Sequence, residues 1–322
     1  MGDIAKFGRN AELAIVVGTL NRLEHLKNCI ESIQSETKFK HVIYVSDAGS
    51  TDGTIEYLRS IQSETIVPIF EGKRVGQALA YNSIFHTIEA PFTCWLSDDN
   101  VVVNRGLDRA VKILKAEPKI GMVALKVKDR IGPLIKAPYI GGISSLGILN
   151  VNQGVLRTNE LQAIGGFSEV FKDYGIDPDL TAKTLLQGLD VVYLRDIAVY
   201  HDRCWSEDET SEEFKRLKVK HERFHRLYQD KYANLLPSSR AYEMKKRLWT
   251  LLKDVFLPGH SINSHEPVFG LLMRDWLNIF TGRFISLADP ILCAGKDYYL
   301  RQKIRGALRE IDAPADPIDV NV

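Results

Sequence analysis

The sequence predicts an α/β protein with a mostly parallel sheet flanked by helices and a helical C-terminal extension. Three observations indicate this class. Short apolar runs alternate with segments of helical periodicity from about residue 13 to 200. The first run, LAIVVG at 13–18, is almost continuously apolar, as expected of a strand buried on both faces. After Trp205 the alternation stops, and the chain becomes first acidic and then basic and helical. Alternating strand and helix patterns are typical of parallel sheets.

The elements of the first region follow one another at short spacing. Each predicted strand is a short apolar run, and each predicted helix repeats apolar residues every three or four positions. The strands are predicted at 13–18, 42–45, 66–70, 92–96, 120–127, 191–194 and 197–200. The helices are predicted at about 23–33, 55–61, 78–88, 107–114 and 178–187. Segment 129–157 is irregular and rich in glycine and proline, which indicates loops and short strands.

The change after Trp205 predicts a boundary between a domain at 11–205 and a helical extension at 206–322. Within the extension, helical periodicity is found at 240–256 and 268–280. The first of these helices has an apolar face with basic residues nearby. The apolar residues are Met244, Leu248, Leu251, Leu252 and Val255, and the basic ones are Lys245, Lys246, Arg247 and Lys253. Such a face either packs on its own domain or lies on an anionic membrane surface, and the sequence leaves both open.

The composition excludes several classes of protein. Of the 322 residues, 45% are hydrophobic and 26% charged, which is ordinary for a folded domain. Lys and Arg total 42 against 41 Asp and Glu, so no general attraction for nucleic acid is expected. The four cysteines form no CxxC pair, which fits a reducing compartment. The sequence shows no apolar signal segment and no stretch that could span a membrane, so we expect a cytoplasmic protein. The balanced charge leads us to expect no binding to nucleic acid.

Four polar clusters follow predicted strands. Turns favour such residues for backbone reasons alone, so each cluster by itself is weak evidence. In parallel sheets, however, ligands bind at the carboxyl ends of the strands, so together the clusters predict one site. They are GTLNR at 18–22, SDAGSTDG at 46–53, SDDN at 97–100 and HD at 201–202.

These clusters belong to a longer ordered series of motifs. The series is VVGTLNR (16–22), VSDAGSTDG (45–53), WLSDDN (95–100), IGGF (164–167), YGIDPDL (174–180) and VYHD (199–202). It resembles the family 2 glycosyltransferases of the GT-A fold, over residues 13 to 202. The resemblance implies transfer of a sugar from a nucleotide donor to an acceptor with inversion, assisted by Mn²⁺ or Mg²⁺. It implies a UDP- or dTDP-sugar as donor and a glycan or lipid-linked acceptor, in polysaccharide or glycan assembly.

The resemblance assigns the metal to the end of the strand at 92–96. Asp99 matches the family's metal-binding aspartate, and His201 matches a histidine that many members use as a further ligand. A cation held there would neutralise the charge that develops on the leaving diphosphate. Asp98 is expected to contact the nucleotide ribose or the metal through water. Ser97 stands where the family has its first carboxylate, and a solvated turn is the alternative for this segment.

The nucleotide is assigned to the ends of the first two strands. Asp47 matches an aspartate that contacts the nucleobase, and Ala48 replaces the acidic residue that usually follows it. Thr19 and Asn21 match positions near the nucleoside. Asn21 is equally suited to cap the first predicted helix, with Glu24 three residues later.

The resemblance assigns the general base to Asp177, which would deprotonate the acceptor hydroxyl. The first member of the family's acidic pair is replaced by Ile176. The alternative reading of Asp177 is a helix N-cap, because Pro178 follows it at a favourable position for proline. Trp205 and segment 138–145 are candidates for shaping the acceptor side.

Two alternative functions remain open at this level. A sugar-1-phosphate nucleotidyltransferase has a related sheet, but its glycine-rich loop is reduced here to GTLNR at 18–22. A catalytically degenerate protein that binds a nucleotide sugar would explain Ala48, Ser97 and Ile176 at three positions that are acidic in the family. The basic C-terminal helices add a peripheral location at the inner face of the membrane as an alternative to a purely cytoplasmic one.

Overall fold

A computed structural model describes residues 10–144, 147–203, 205–206, 208–232, 240–256, 259, 267–268, 271–281 and 288–304. The strands are β1 (Leu13–Thr19), β2 (His41–Asp47), β3 (Ile66–Phe70), β4 (Phe92–Ser97), β5 (Asn100–Val102), β6 (Ile120–Ile131), β7 (Gly142–Ile143), β8 (Leu149–Asn150), β9 (Gly154–Arg157), β10 (Asp190–Asp202), β11 (Pro267–Val268), β12 (Leu271–Leu272), β13 (Ala288–Leu292) and β14 (Tyr298–Ile304). The helices are α1 (Leu23–Glu36), α2 (Thr54–Ile61), α3 (Gln77–Phe85), α4 (Gly106–Ala116), α5 (Thr158–Ala163), α6 (Ile176–Leu186), α7 (Glu212–Tyr232), α8 (Arg240–Phe256) and α9 (Met273–Thr281).

The central sheet runs in the order β13-β14-β10-β6-β9-β4-β1-β2-β3, and β5 pairs with β10. Strand β1 pairs in parallel with β2 and β4, β2 with β3, and β6 with β10. Strand β9 is antiparallel to both of its neighbours, β4 and β6. The structure therefore confirms the predicted mostly parallel sheet flanked by helices.

The burial of strand β1 on both faces explains its apolar sequence. Ala14 and Val16 face a core that includes residues of α3, whereas Leu13, Ile15 and Val17 face a core that includes residues of α1 and α4. All five residues are fully buried. A strand covered on both faces needs apolar side chains at successive positions, which is the pattern that predicted it.

Two local predictions are corrected by the structure. The apolar runs at 191–194 and 197–200 form one strand, β10, whose pairing with β6 shifts register between Tyr193 and Ile197. Asn21 does not cap α1: Arg22 holds the N-cap position, and Oδ2 of Asp52 accepts the hydrogen bond of the Leu23 N–H at 3.1 Å. Asn21 instead has a φ of 52°, in the left-handed region.

The segment after residue 206 is not only helical, which corrects the predicted helical extension over 288–304. Strand β14 pairs antiparallel with β10, and β13 pairs with β14, so the central sheet continues into this segment. Leu300 and Gln302 are buried there, while the intervening Arg301 is bound to Glu117 and Asp190. The domain boundary after Trp205 stays a prediction. Among the helices that the structure describes, none is long and apolar enough to span a membrane.

Candidate active site

A cleft of about 920 Å³ opens at the carboxyl ends of β1 and β4. Its volume lies within the range of small-molecule sites. The predicted site residues that line it are Thr19, Asp98, Asp99, Asp177 and His201.

Strand register brings the sequence motifs together. Gly18 of β1 lies between Ser46 of β2 and Ser97 of β4, and Thr19 pairs with Asp47. Because the three strands are parallel, the turns that follow them emerge at one edge of the sheet. The structure thus confirms the convergence that the polar clusters predict.

Asp98 and Asp99 lie side by side and are bound by one arginine. Nη1 of Arg22 lies 3.3 Å from Oδ1 of Asp98 and 2.8 Å from Oδ2 of Asp99. The hydroxyl of Thr19 donates to Oδ2 of Asp98 at 2.8 Å, so Thr19 supports this carboxylate. Burial, together with the charge of Asp99, raises the pKa of Asp98 to about 6. Arg22 was not among the predicted site residues, although it ends the GTLNR motif.

His201 lies against Asp99 because a short strand pairing positions them. In the pairing of β5 with β10, His201 is opposite Asn100, and the Asp202 N–H donates to the carbonyl of Asp99 at 2.9 Å. Nε2 of His201 is then 3.1 Å from Oδ1 of Asp99. Although burial opposes it, the hydrogen bond to His201 and the charges of His201 and Arg22 lower the pKa of Asp99.

A buried carboxylate and an arginine hold the other side of the His201 ring. Nδ1 of His201 is 3.2 Å from Oδ1 of Asp129, and Nε of Arg203 donates to Oδ2 of Asp129 at 2.8 Å. Burial alone would lower the pKa of His201, but hydrogen bonds to Asp129 and Asp99 raise it. Asp129 and Arg203 are not among the site residues predicted from the sequence. The parallel register of β6 and β10, which pairs His201 with Asp129, is not readable from spacing.

The Asp99–His201 pair is chemically suited to a divalent cation. A carboxylate oxygen and an imidazole nitrogen that bind one ion at about 2.0–2.2 Å lie roughly 3 Å apart when they are adjacent ligands. The 3.1 Å between the Asp99 and His201 atoms fits this separation. Within the described part of the chain, however, no group of three His, Cys, Asp or Glu side chains is arranged to hold a metal. A cation bound here would therefore need further oxygen ligands from a diphosphate and water.

The turn after β2 holds Asp47 in a fully buried position. Oδ1 of Asp47 accepts hydrogen bonds from the N–H groups of Gly49 and Ser50, both at 3.0 Å. Its Oδ2 is buried without a hydrogen-bond partner. A buried carboxylate oxygen left unpaired is costly. Asp47 is not among the residues that line the cleft, so the structure does not bring this predicted nucleotide contact to the cleft surface.

Asn21 braces this same turn. Its N–H donates to Oγ of Ser50 at 2.9 Å, and its Oδ1 accepts from the N–H of Thr51 at 2.7 Å. The backbone N–H and the side-chain carbonyl oxygen of Asn21 are therefore both bound to the loop after β2. This geometry gives Asn21 a supporting position, with no direct contact with the cleft.

Asp177 lies in the first turn of α6, at the cleft wall, and the indole N–H of Trp95 donates to its Oδ1 at 2.9 Å. Burial raises the pKa of Asp177 to about 7, although this hydrogen bond acts to lower it. The N-cap position belongs to Gly175, whose φ is 88°, so the reading of Asp177 as an N-cap is wrong. Ile176 is buried in the core, which accounts for an apolar residue there.

Two neighbouring aspartates have structural partners. Oδ1 of Asp173 accepts the N–H of Gln77 at the start of α3 at 2.9 Å, and its Oδ2 is 3.0 Å from Nη2 of Arg74. Asp179 is fully buried, where its Oδ1 accepts the Tyr232 hydroxyl at 2.7 Å and lies 3.0 Å from Nζ of Lys231. Asp179 thus ties α6 to α7.

The residues expected to face an acceptor also line this cleft. Trp205 lines the cleft, and the Arg203 guanidinium stacks 4.0 Å from the centre of its ring. Tyr139, Ile140 and Gly141, from the segment predicted to shape the acceptor side, line it as well.

The chain was compared with known proteins. The family model described as "Glycosyl transferase family 2" matches residues 14–167. A curated relative, the uncharacterized glycosyltransferase alr2836 of Nostoc sp., is 24% identical over 115 residues, which are 35% of each chain. The present chain therefore matches about a third of that relative's length.

Solved structures extend the comparison to the fold. The mannosyltransferase PcManGT from Pyrobaculum calidifontis, in complex with GDP-Man and Mn²⁺, superposes with a TM-score of 0.50 at 19% identity, covering 66% of this chain and 61% of that one. TarS 1–349 of S. aureus in complex with UDP-GlcNAc gives a TM-score of 0.49 at 16% identity, covering 66% of each chain. At these identities the likeness concerns the fold alone. The family match identifies residues 14–167 as a family 2 glycosyltransferase domain, and the likeness to PcManGT agrees with the GT-A fold.

Proposed function

We propose that the protein transfers a sugar from a UDP- or dTDP-sugar to a hydroxyl of a glycan or lipid-linked acceptor, with inversion at the anomeric carbon. The hydrogen bond between Trp95 and Asp177 is the observation that carries this proposal. Trp95 belongs to β4, the strand that leads into Asp98 and Asp99. Strand β4 therefore connects the candidate base Asp177, through Trp95, to the candidate nucleotide contact Asp98 and the candidate metal ligand Asp99 in the same cleft.

Asp177 acts as the general base in this proposal. Its carboxylate accepts the proton of the acceptor hydroxyl while that oxygen forms a bond to the anomeric carbon. The bond from this carbon to the diphosphate breaks, and the diphosphate leaves with the electron pair. A base works best when its pKa lies close to the operating pH, and the pKa of about 7 meets that condition.

The nucleotide end of the donor is assigned to the part of the cleft beside Asp98 and Asp99. Asp99 and His201 would hold a divalent cation, Mn²⁺ or Mg²⁺, which stabilises the charge of the leaving diphosphate when it is bound. Thr19 orients Asp98, and Arg22 adds a positive charge beside both carboxylates. A contact of Asp47 with a base N–H, as uracil and thymine offer, stays a prediction, because its unpaired Oδ2 is buried and does not line the cleft.

The experiment that tests the proposal measures release of UDP or dTDP from a panel of UDP- and dTDP-sugars with Mn²⁺, with and without hydroxyl acceptors. We expect one donor to be turned over by the wild type and not by Asp177→Asn, and the product to have the inverted anomeric configuration by NMR. Binding without turnover in the wild type would instead favour the degenerate nucleotide-sugar binding protein. Product with retained configuration would contradict inversion.

We also propose a cytoplasmic location with peripheral contact at the inner face of the membrane through α8. Its apolar side chains Met244, Leu248, Leu251 and Val255 are exposed, and exposed Arg247 lies among them in sequence. The side chains of Lys245, Lys246 and Lys253 lie outside the described residues. An exposed apolar face with basic neighbours is suited to an anionic lipid surface. Co-sedimentation with phosphatidylglycerol vesicles should be lost in Leu248→Glu with Leu251→Glu, and equal sedimentation of this variant would contradict the contact.

A further inference from the structure

Two histidines form a pair on α7, outside the site described above. His221 and His225 are four residues apart, so they lie on the same face of the helix. Their Nε2 atoms are 3.0 Å apart and their ring centroids 4.2 Å apart. Both side chains are exposed, and His221 lines the entrance of the cleft.

The nitrogen geometry matches chelation of one ion. Two neutral imidazoles whose Nε2 atoms meet can share only one proton between them. If both nitrogens instead bind an ion at about 2.0–2.1 Å, a separation of 3.0 Å corresponds to a nitrogen–metal–nitrogen angle of roughly 95°. This angle is close to that between adjacent ligands in square-planar or octahedral coordination. Imidazole nitrogen favours Zn²⁺, Cu²⁺ and Ni²⁺, whereas Mg²⁺ and Mn²⁺ favour oxygen ligands.

Neighbouring groups hold the two rings and leave their nitrogens accessible. The His221 ring meets the edge of Tyr174 with centroids 6.0 Å apart, and the His225 ring lies 5.1 Å from Phe224. Two of the cations next to the histidines in sequence have other partners: Lys220 is 3.7 Å from Asp173, and Arg223 donates to the carbonyl of Val170. Burial and the neighbouring His221 lower the pKa of His225.

We propose that His221 and His225 bind one divalent transition-metal ion, such as Cu²⁺, Ni²⁺ or Zn²⁺, at the entrance of the cleft. The segment HERFH at 221–225 has the His–His spacing with which a helix presents two ligands to zinc. In the part of the chain that the structure describes, no third His, Cys, Asp or Glu completes a three-residue group. The remaining coordination positions therefore belong to water or to a molecule in the cleft, and the ion exchanges readily.

The test is titration of the full chain with NiCl₂, ZnCl₂ and CuCl₂ by calorimetry, in millimolar Mg²⁺ and without nucleotide. His221→Gln and His225→Gln should each weaken one binding event at least about tenfold, because each leaves a single ligand in place of a chelating pair. His86→Gln removes an exposed histidine at the C-terminal end of α3 and should leave the affinity for each metal ion unchanged. His201→Gln should leave this binding event intact, since it alters only the site beside Asp99.

Electron paramagnetic resonance of the Cu²⁺ complex provides a second measurement. The wild type should show coupling to two nitrogens that is lost in either His221→Gln or His225→Gln. Unchanged affinity and unchanged coupling in these two variants would overturn the proposal. Loss of the same binding event in His201→Gln would also overturn it, because the ion would then belong to the carboxylate site.

Discussion

The indole N–H of Trp95 donates a 2.9 Å hydrogen bond to Asp177, and this bond joins the start of α6 to the strand that ends beside Asp98 and Asp99. Trp95 is itself fixed, since it is almost fully buried and its ring meets Phe167 edge-on with centroids 5.8 Å apart. Asp177 is therefore held by a rigid part of the core, as a residue that must meet a substrate atom accurately should be.

Replacing Asp177 by asparagine should lower sugar transfer about 10²- to 10⁴-fold, because the amide can accept the Trp95 hydrogen bond but cannot take up a proton. UDP affinity should persist. Steady-state transfer and calorimetry with UDP measure both quantities.

Asp179→Asn serves as the matched control, two residues further along the same helix. It breaks a buried ion pair with Lys231, so its melting temperature should fall while transfer measured well below that temperature is largely kept. Wild-type turnover in Asp177→Asn would exclude Asp177 as the base.

Trp95→Phe should shift the pH dependence of transfer. The variant keeps an aromatic ring against Phe167 but removes the N–H that lowers the pKa of Asp177. The pKa should rise, so the rising limb of the rate profile should move to higher pH and the loss at pH 7 should be partly recovered at pH 9. A rate that is reduced equally at every pH would indicate a packing defect instead.

Asp177 should also make stability depend on pH. Its pKa is about 7 in the folded protein and about 3.8 when unfolded, so the folded state binds more protons between these values. Its contribution is fully present below pH 3.8 and is lost as pH rises through 7. The stability of Asp177→Asn relative to wild type should therefore increase between about pH 4 and 7 and then level off. Urea unfolding of both proteins at pH 5, 6, 7 and 8 measures this difference, and a difference that is constant with pH would contradict the shift.

Asp99→Ala should abolish tight binding of Mn²⁺ in the presence of UDP, because it removes the carboxylate that faces His201. Arg22→Gln should have the opposite effect on Mn²⁺ binding without nucleotide, since it removes a positive charge 2.8 Å from the same carboxylate. Calorimetry at fixed ionic strength compares the two variants. Unchanged Mn²⁺ affinity in Asp99→Ala would contradict the assignment of the metal site.

The sequence could predict that the polar clusters lie together, because this depends only on the parallel arrangement of buried apolar strands. The partners of those clusters could not. Arg22 reaches Asp99 across 77 positions of the chain, and Asp129 meets His201 only through the pairing of β6 with β10. The spacing of residues along the chain does not predict such contacts.

Predictions from local residue type were wrong where a distant side chain or an unusual backbone conformation took the expected role. Asn21 has the residue type of an N-cap, but Asp52 from the next turn supplies the hydrogen bond to α1. Asp177 precedes a proline in the manner of a cap, but Gly175 begins α6 in a left-handed conformation. Strand β14 was missed because Arg301 and Lys303 interrupt a run whose burial depends on pairing with β10.

The pairing of β14 with β10 makes one part of the cleft depend on residues near the end of the described chain. Gln302 of β14 is fully buried, and its Oε1 accepts the N–H of Leu149 at 2.8 Å, which anchors the segment beside Asn150 at the cleft. The donor-side strands β1, β2 and β4 can pair as soon as they leave the ribosome. The segment beside Asn150, by contrast, lacks its Gln302 anchor until residues 298–304 have been made, so this part of the cleft is completed last.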